Sequence, residues 1–140
     1  MVARSVRFGV GAERAFDYLV DPRNRPAWQA SLRRVDEVTG EPRVGQRWID
    51  VTVPGLRPRM ETTVLERPHR WTEIGRWHGI DAELTLEITE DGDGCRVTPT
   101  FTVTGRGVAA LAAFVVDKVA VLGVYPDLRR AARVLAAETV

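Results

Sequence analysis

Apolar and polar positions alternate along the first hundred or so residues, and then the period changes. Val6, Phe8 and Val10 alternate with polar or small residues and predict a first strand. Gly11 opens an amphipathic helix over Ala12 to Val20, with Ala15, Phe16 and Leu19 on one side. Asp21-Pro22 stops that helix and starts another: a capping residue precedes the residue favoured at a first helical position. Pro26 confines this second helix to a turn or two, ending near Trp28 to Ala30. From Leu32 the period is two. It predicts strands over Leu32–Thr39, Gln46–Val53, Arg59–Glu66, Arg70–Trp77, Ile80–Glu90 and Cys95–Val103. Gly40-Glu41-Pro42, Val53-Pro54-Gly55, Arg67-Pro68-His69, His78-Gly79 and Asp91-Gly92-Asp93-Gly94 mark the turns between them. Short connections of this kind make an antiparallel meander.

The alternation also predicts which face is wet. Leu84, Leu86 and Ile88 oppose Glu83, Thr85 and Glu87, and Val97, Pro99, Phe101 and Val103 oppose Arg96, Thr98, Thr100 and Thr102. By the same rule Ile49, Val51 and Val53 face inward, and Trp48, Asp50 and Thr52 face solvent. Met60, Thr62 and Val64 look inward as well. The strand with Trp71, Glu73 and Trp77 on one face, and Thr72, Ile74, Arg76 and His78 on the other, cannot be oriented. Pro99 cannot donate to a ladder, which predicts an edge or a bulge there.

From Val108 to Ala137 the pattern is that of one long helix, with Phe114, Val121, Val124, Leu128, Ala132 and Leu135 on one face. Arg129, Arg130 and Arg133 fall away from it. Pro126 predicts a kink, or else two consecutive helices. Gly107 to Tyr125 is apolar enough to suggest a membrane span, but Asp117 and Lys118 at its centre favour a core helix. A curved antiparallel sheet and a long helix can cover each other and leave space between them.

At 140 residues the chain reads as one α+β domain over its whole length. The formal net charge of +1, with basic residues scattered, argues against nucleic acid as a partner. The opening residues, Met1 to Arg7, lack an apolar core of signal-peptide length. Cys95 is the only cysteine, so no intrachain disulfide forms and a reducing cytoplasm is the default expectation.

Several local runs resemble one family. Ala15-Phe16-Asp17-Tyr18-Leu19-Val20-Asp21-Pro22-Arg23-Asn24-Arg25-Pro26-Ala27-Trp28 looks like the helical corner of the START-related polyketide cyclase/dehydrase and lipid-transport superfamily. Val44-Gly45-Gln46-Arg47-Trp48, Glu66-Arg67-Pro68-His69-Arg70, Gly94-Cys95-Arg96-Val97-Thr98 and Asp127-Leu128-Arg129-Arg130 are similar to later stretches of the same family, in the same order. The resemblance spans nearly the whole chain. It implies the helix-grip architecture: a curved seven-stranded antiparallel sheet around a long C-terminal helix, with two short helices after the first strand. It implies no shared catalytic constellation, because members bind lipids, sterols, polyketides or plant hormones, and some cyclise polyketides.

Within that frame the expected pocket is lined by Trp28, Val51, Met60, Thr62, Leu86, Phe101, Phe114, Val121 and Tyr125, with Asp117 as a polar group on the gripping face. Trp28 either plugs the helical corner or lids the cavity mouth. Asp117 must pair, bind water or shift its pKa if it faces an apolar cavity, and Arg47 is a partner for it if Arg47 faces inward. Trp71 and Trp77 either clamp Glu73 between them or lie on the surface. His69, His78 and one cysteine give no zinc spacing, and there is no nucleophile motif or phosphate loop. No metal or cofactor is therefore expected. Asp50, Glu61, Glu73 and His78 are acid or base candidates that no spacing singles out.

Three readings of function remain open. The first is a binder of a hydrophobic or aromatic small molecule. The second is a cyclase or dehydratase using the same cavity, with Asp117 and Tyr125 as suspects. The third is a partner-binding protein with a filled core, whose stripe of Val115, Val119 and Leu122 meets a second copy or another chain.

Overall fold

The computed structural model describes residues 4–53, 55–107 and 109–138, and over 110–122 the course of the helix without its side chains. The first strand, β1 (Val6–Phe8), leads into helix α1 (Ala12–Val20). The restart at Asp21-Pro22 forms as the sequence predicts. Pro22–Asn24 make a turn of 3-10 helix, and the Asp21 carboxylate accepts from the Arg23 N–H at 3.1 Å. Helix α2 (Arg25–Trp28) follows directly. Six strands come next: β2 (Leu32–Asp36), β3 (Arg47–Thr52), β4 (Arg59–Glu66), β5 (Arg70–Trp77), β6 (Ile80–Asp91) and β7 (Gly94–Gly105). Helix α3 (Ala109–Glu138) ends the fold. It runs unbroken through Pro126, so the alternative of two consecutive helices is not taken. Among the described residues no helix is long and apolar enough to cross a membrane.

All seven strands form one antiparallel sheet in the order β1-β7-β6-β5-β4-β3-β2. The order is sequential except that β1 pairs with β7, which sets the first strand of the chain beside the last. β2 stops at Asp36, three residues before the predicted end, because Glu37 adopts a left-handed backbone (φ 52°). The β5–β6 hairpin turns on His78 and Gly79, both with positive φ, as a two-residue loop must to match strand twist. At Pro99 the β6–β7 register continues without a bulge, through Leu86 opposite Pro99. β1 pairs only up to Val97, so Pro99 lies just past its reach, at a local edge.

One face of the sheet is packed. Leu84, Leu86, Ile88 and Val97 are buried against Phe8 of β1, Phe16 and Leu19 of α1, and Leu128, Ala131 and Leu135 of α3. Burying the valine, leucine, isoleucine and phenylalanine side chains supplies roughly 1.5–3 kcal/mol each. The register extends this face across the sheet. Trp71 lies opposite Leu86, Glu73 opposite Leu84, and Thr62 opposite Glu73, while Trp48 lies opposite Met60.

The prediction for β3 is overturned. Trp48 and Asp50 are buried on the inner face, and the Val53 that was to join the core is exposed. Val51 is buried on the opposite face from Trp48 and Asp50 and lies outside the core cluster. A hydrophobicity rule sends Asp50 outward. The fold draws it inward because a buried cation waits there.

Gly94 shows how close β1 and β7 approach. A Cβ at this position would collide with the Phe8 carbonyl oxygen. Gly94→Ala is expected to cost about 1–3 kcal/mol of stability. Urea unfolding measures this, and an unchanged midpoint would contradict the β1–β7 register.

Candidate functional site

The inner face of β3, β4 and β5 carries charge where most sheets carry only apolar groups. Its centre is Arg25. The short helix α2 places Arg25 and Trp28 one turn apart, and both point into the fold. Arg25 is 2% exposed. Its Nη1 and Nη2 donate to both oxygens of Glu73 on β5, at 2.5 and 2.9 Å. Nη2 also lies 3.6 Å from Asp50 Oδ2 on β3. Asp50 Oδ1 accepts from the Trp48 indole N–H at 2.9 Å, and Thr62 Oγ1 on β4 accepts from the Trp71 indole at 3.2 Å.

Three indoles surround the guanidinium. Its carbon is 5.5 Å from the ring centre of Trp28 and 5.9 Å from those of Trp48 and Trp71. These distances fall inside the range of cation–π attraction, which strengthens when water is excluded. The helical corner is also tied to α3. The Asp127 carboxylate accepts from the Ala30 N–H at 3.2 Å, and Arg130 Nη1 donates to the Trp28 carbonyl at 3.4 Å. Arg130, placed by periodicity on the solvent side, is thus half-buried against α2.

The charges in this cluster do not balance. Two buried carboxyls share one guanidinium. Burial pushes the pKa of both Asp50 and Glu73 up, and Arg25 pulls both back. Glu73 has the bidentate bond, which holds it as the anion. Asp50 has an indole and a longer ion contact, so it is the less firmly paired of the two acids. Burial likewise raises Asp127, opposed by the Ala30 N–H and by Arg130. The arrangement can fix a polar group among aromatic walls.

The predicted site residues divide accordingly. Trp28 and Thr62 belong to the cluster, and Met60 adjoins it, packed where Gly75 leaves room for its sulfur. Leu86 is buried in the neighbouring core, and Phe101 is half-buried against it. Tyr125 lies half-buried on α3 with the Arg4 guanidinium 4.2 Å above its ring, a contact distinct from the cluster. Val51 faces the other side of β3. The side chains of Phe114, Asp117 and Val121, and of Val115, Val119 and Leu122, lie outside the described residues. Arg47 does not face inward: it is exposed and pairs with Glu61 at 3.5 Å. Trp77 is not half of a clamp either. It sits at the surface with the His78 ring edge-on at 4.6 Å, and only Trp71 and Glu73 of that strand's triplet turn in.

Sequence reasoning missed Arg25 altogether and left Asp50 and Glu73 unranked. The available signal was Asp50 in a strand beside Trp48, and Glu73 beside Trp71.

Two open grooves lie elsewhere. One, of about 620 Å³, runs beside α1 among Glu13, Arg14, Asp17, Arg67 and Glu90. The other, about 490 Å³, runs along β3–β5 past Arg47, Ile49, Arg59, Glu61 and Arg76, and is also lined by Trp48 and Met60. Both are charged and open to solvent, unlike the inner face. Among the described residues no three His, Cys, Asp or Glu side chains gather as metal ligands would.

A family model described as Polyketide cyclase / dehydrase and lipid transport matches residues 1–139. Solved structures share the architecture. Protein MLL2253 from Mesorhizobium loti is 16% identical with a TM-score of 0.72, the match covering 97% of this chain and 96% of that one. A conserved protein from Geobacillus kaustophilus is 17% identical with a TM-score of 0.69, covering 95% and 93% of the two chains. Ara h 8.0201 is 12% identical with a TM-score of 0.71, covering 96% and 97%. Likeness at these identities shows the fold alone. No match was found among curated proteins.

The unequal roles of the two acids give a stability test. Glu73→Gln leaves the Arg25 charge without its bidentate partner and is expected to cost about 3–5 kcal/mol. Asp50→Asn keeps the acceptor for Trp48 and removes the surplus acid, so its expected cost is below about 1 kcal/mol. The pH dependence has a definite sign. A carboxyl whose pKa is raised by folding contributes its stability fully below the ordinary carboxylate range and loses it as pH rises through the folded value. Urea midpoints of the wild type should therefore include a decline above that range that Asp50→Asn reduces. Equal costs for the two variants would contradict the assignment.

Proposed function

We propose, since the chain belongs to the Polyketide cyclase / dehydrase and lipid transport family, that it binds a hydrophobic or aromatic small molecule between the inner face of the sheet and helix α3. The observation that carries this reading is the trio of indoles from Trp28, Trp48 and Trp71 around one fixed polar cluster on that face. Small-molecule sites combine mostly apolar and aromatic walls with a few placed polar groups, and this face has both. Met60 and Leu86 supply adaptable and rigid apolar surface beside the cluster.

A second reading draws on one specific feature, Asp50, a buried carboxyl whose pKa burial raises. In a cyclase or dehydratase acting on a polyketide-like chain, a buried acid could protonate a departing hydroxyl while the walls fold the chain. Asp50 then replaces Asp117 and Tyr125 as the first residue to test. Loss of turnover in Asp50→Asn with binding retained would favour this reading, and binding without any reaction in the wild type would favour the first.

The binding proposal is tested by native mass spectrometry of freshly purified protein, before and after solvent extraction, followed by equilibrium dialysis of the extracted protein against 2-ethylnaphthalene. A stoichiometric hydrophobic companion, or saturable uptake of one naphthalene per chain, is the expected result. Protein that carries nothing and takes up no naphthalene would contradict it.

A further inference from the structure

The three indoles of the cluster differ in one respect. The N–H of Trp48 has Asp50 as its acceptor and the N–H of Trp71 has Thr62. The N–H of Trp28 is buried and has no acceptor among the described residues. The same asymmetry runs through Arg25. Both terminal nitrogens are engaged by Glu73, while Nε is buried without an acceptor among those residues. The two unmet donors thus sit one turn apart on α2, and the guanidinium carbon is 5.5 Å from the Trp28 ring centre. A buried N–H without an acceptor is costly, and here two such donors share one turn of helix.

We propose that Arg25 Nε–H and Trp28 Nε1–H form a paired donor site for a neutral oxygen of the bound molecule, the carbonyl of an aryl ketone or the hydroxyl of a phenol, and that the site rejects carboxylates and phosphates. This rests on the binding reading above and names the ligand chemistry within it. The donors are held in place before any ligand arrives. Glu73 fixes the plane of the guanidinium by its bidentate bond, and Arg130 donates to the Trp28 carbonyl. Such fixed donors recognise an oxygen without an ordering cost at the moment of binding.

The surrounding charge decides what kind of oxygen fits. Glu73 on β5, Asp50 on β3 and Asp127 on α3 face Arg25 and Arg130. Each base already has a carboxyl partner, Glu73 for Arg25 and Asp127 for Arg130, which leaves no spare positive charge for an anion. Arg25, the guanidinium at the centre, is already matched by Glu73. A carboxylate would enter beside two buried acids with no cation to meet it, and like charges in a site of low polarity repel strongly. A ketone or phenol oxygen takes the two N–H groups without adding charge, and its ring lies against indole faces.

Equilibrium dialysis against three molecules of one shape tests this: 2-acetonaphthone, 2-ethylnaphthalene and 2-naphthoate. The ketone is expected to bind about tenfold tighter than the hydrocarbon, the worth of one good hydrogen bond, and the naphthoate weakest of the three. Trp28→Phe keeps the ring face, deletes the N–H, and should bring the ketone toward the hydrocarbon. Should that variant fold poorly, the wild type still decides. The carbonyl stretch of bound 2-acetonaphthone should shift to lower wavenumber than in an alkane solvent. Ketone and hydrocarbon binding equally, with no shift, would mean that water satisfies the donors, and it would overturn this proposal while leaving the binding reading intact. Naphthoate binding best would also overturn it. Uptake of none of the three would overturn both.

Discussion

The structure turns on the burial of one guanidinium. Taking Arg25 out of water is expensive, and the cost is recovered only by close anions and by filled space around them. Glu73 supplies the bidentate bond, Asp50 a second carboxyl, and Trp28, Trp48 and Trp71 the walls. The helical corner and three different strands contribute to it. The single cation therefore fixes which face of β3 and of β5 turns inward, and where α2 sits above them. The bulk of the apolar core lies elsewhere, over β1, β6 and β7, under α1 and the C-terminal part of α3.

This division separates stability from recognition. The apolar core is ordinary: phenylalanine, leucine, isoleucine and valine on the faces that periodicity assigns. The polar cluster is a poor way to gain net stability, since a well-packed apolar substitute often does as well. Its physical advantage is definition. A bidentate Arg–Glu bond has one geometry, and it sets the plane of Arg25 and hence the direction of Nε. The ties of Asp127 to Ala30 and of Arg130 to the Trp28 carbonyl carry that definition to α3. A site meant to recognise a small molecule needs such fixed donors more than it needs extra stability.

The general architecture was legible because it depends on local rules. Period-two runs located the strands, Asp21-Pro22 located the restart of the helical corner, and α1 begins and ends where its apolar face does. Leu84, Leu86 and Ile88 face inward as their alternation predicts. The face of β3 was misread for a physical reason. Pattern reading assigns a carboxylate to water, and that assumption fails when a cation distant in sequence closes over it. Arg25 reaches Glu73 across 48 positions, and no periodicity encodes such a pairing. Arg25 itself sits in a four-residue helix too short to show an inner and an outer side. The family resemblance pointed to the corner as a motif without saying that its arginine turns inward.

A double-mutant cycle between Arg25→Met and Glu73→Leu addresses the central claim most directly. If the guanidinium and its carboxylate partner act as one unit, Arg25→Met costs about 3–5 kcal/mol in the wild type. In the Glu73→Leu background, where the cation is already stranded, the same change costs little or is favourable, for a coupling of about 2 kcal/mol or more. Equal costs in the two backgrounds would mean that Arg25 is held by its surroundings independently of Glu73, and the cluster would not be the constraint on which the fold's inner face depends.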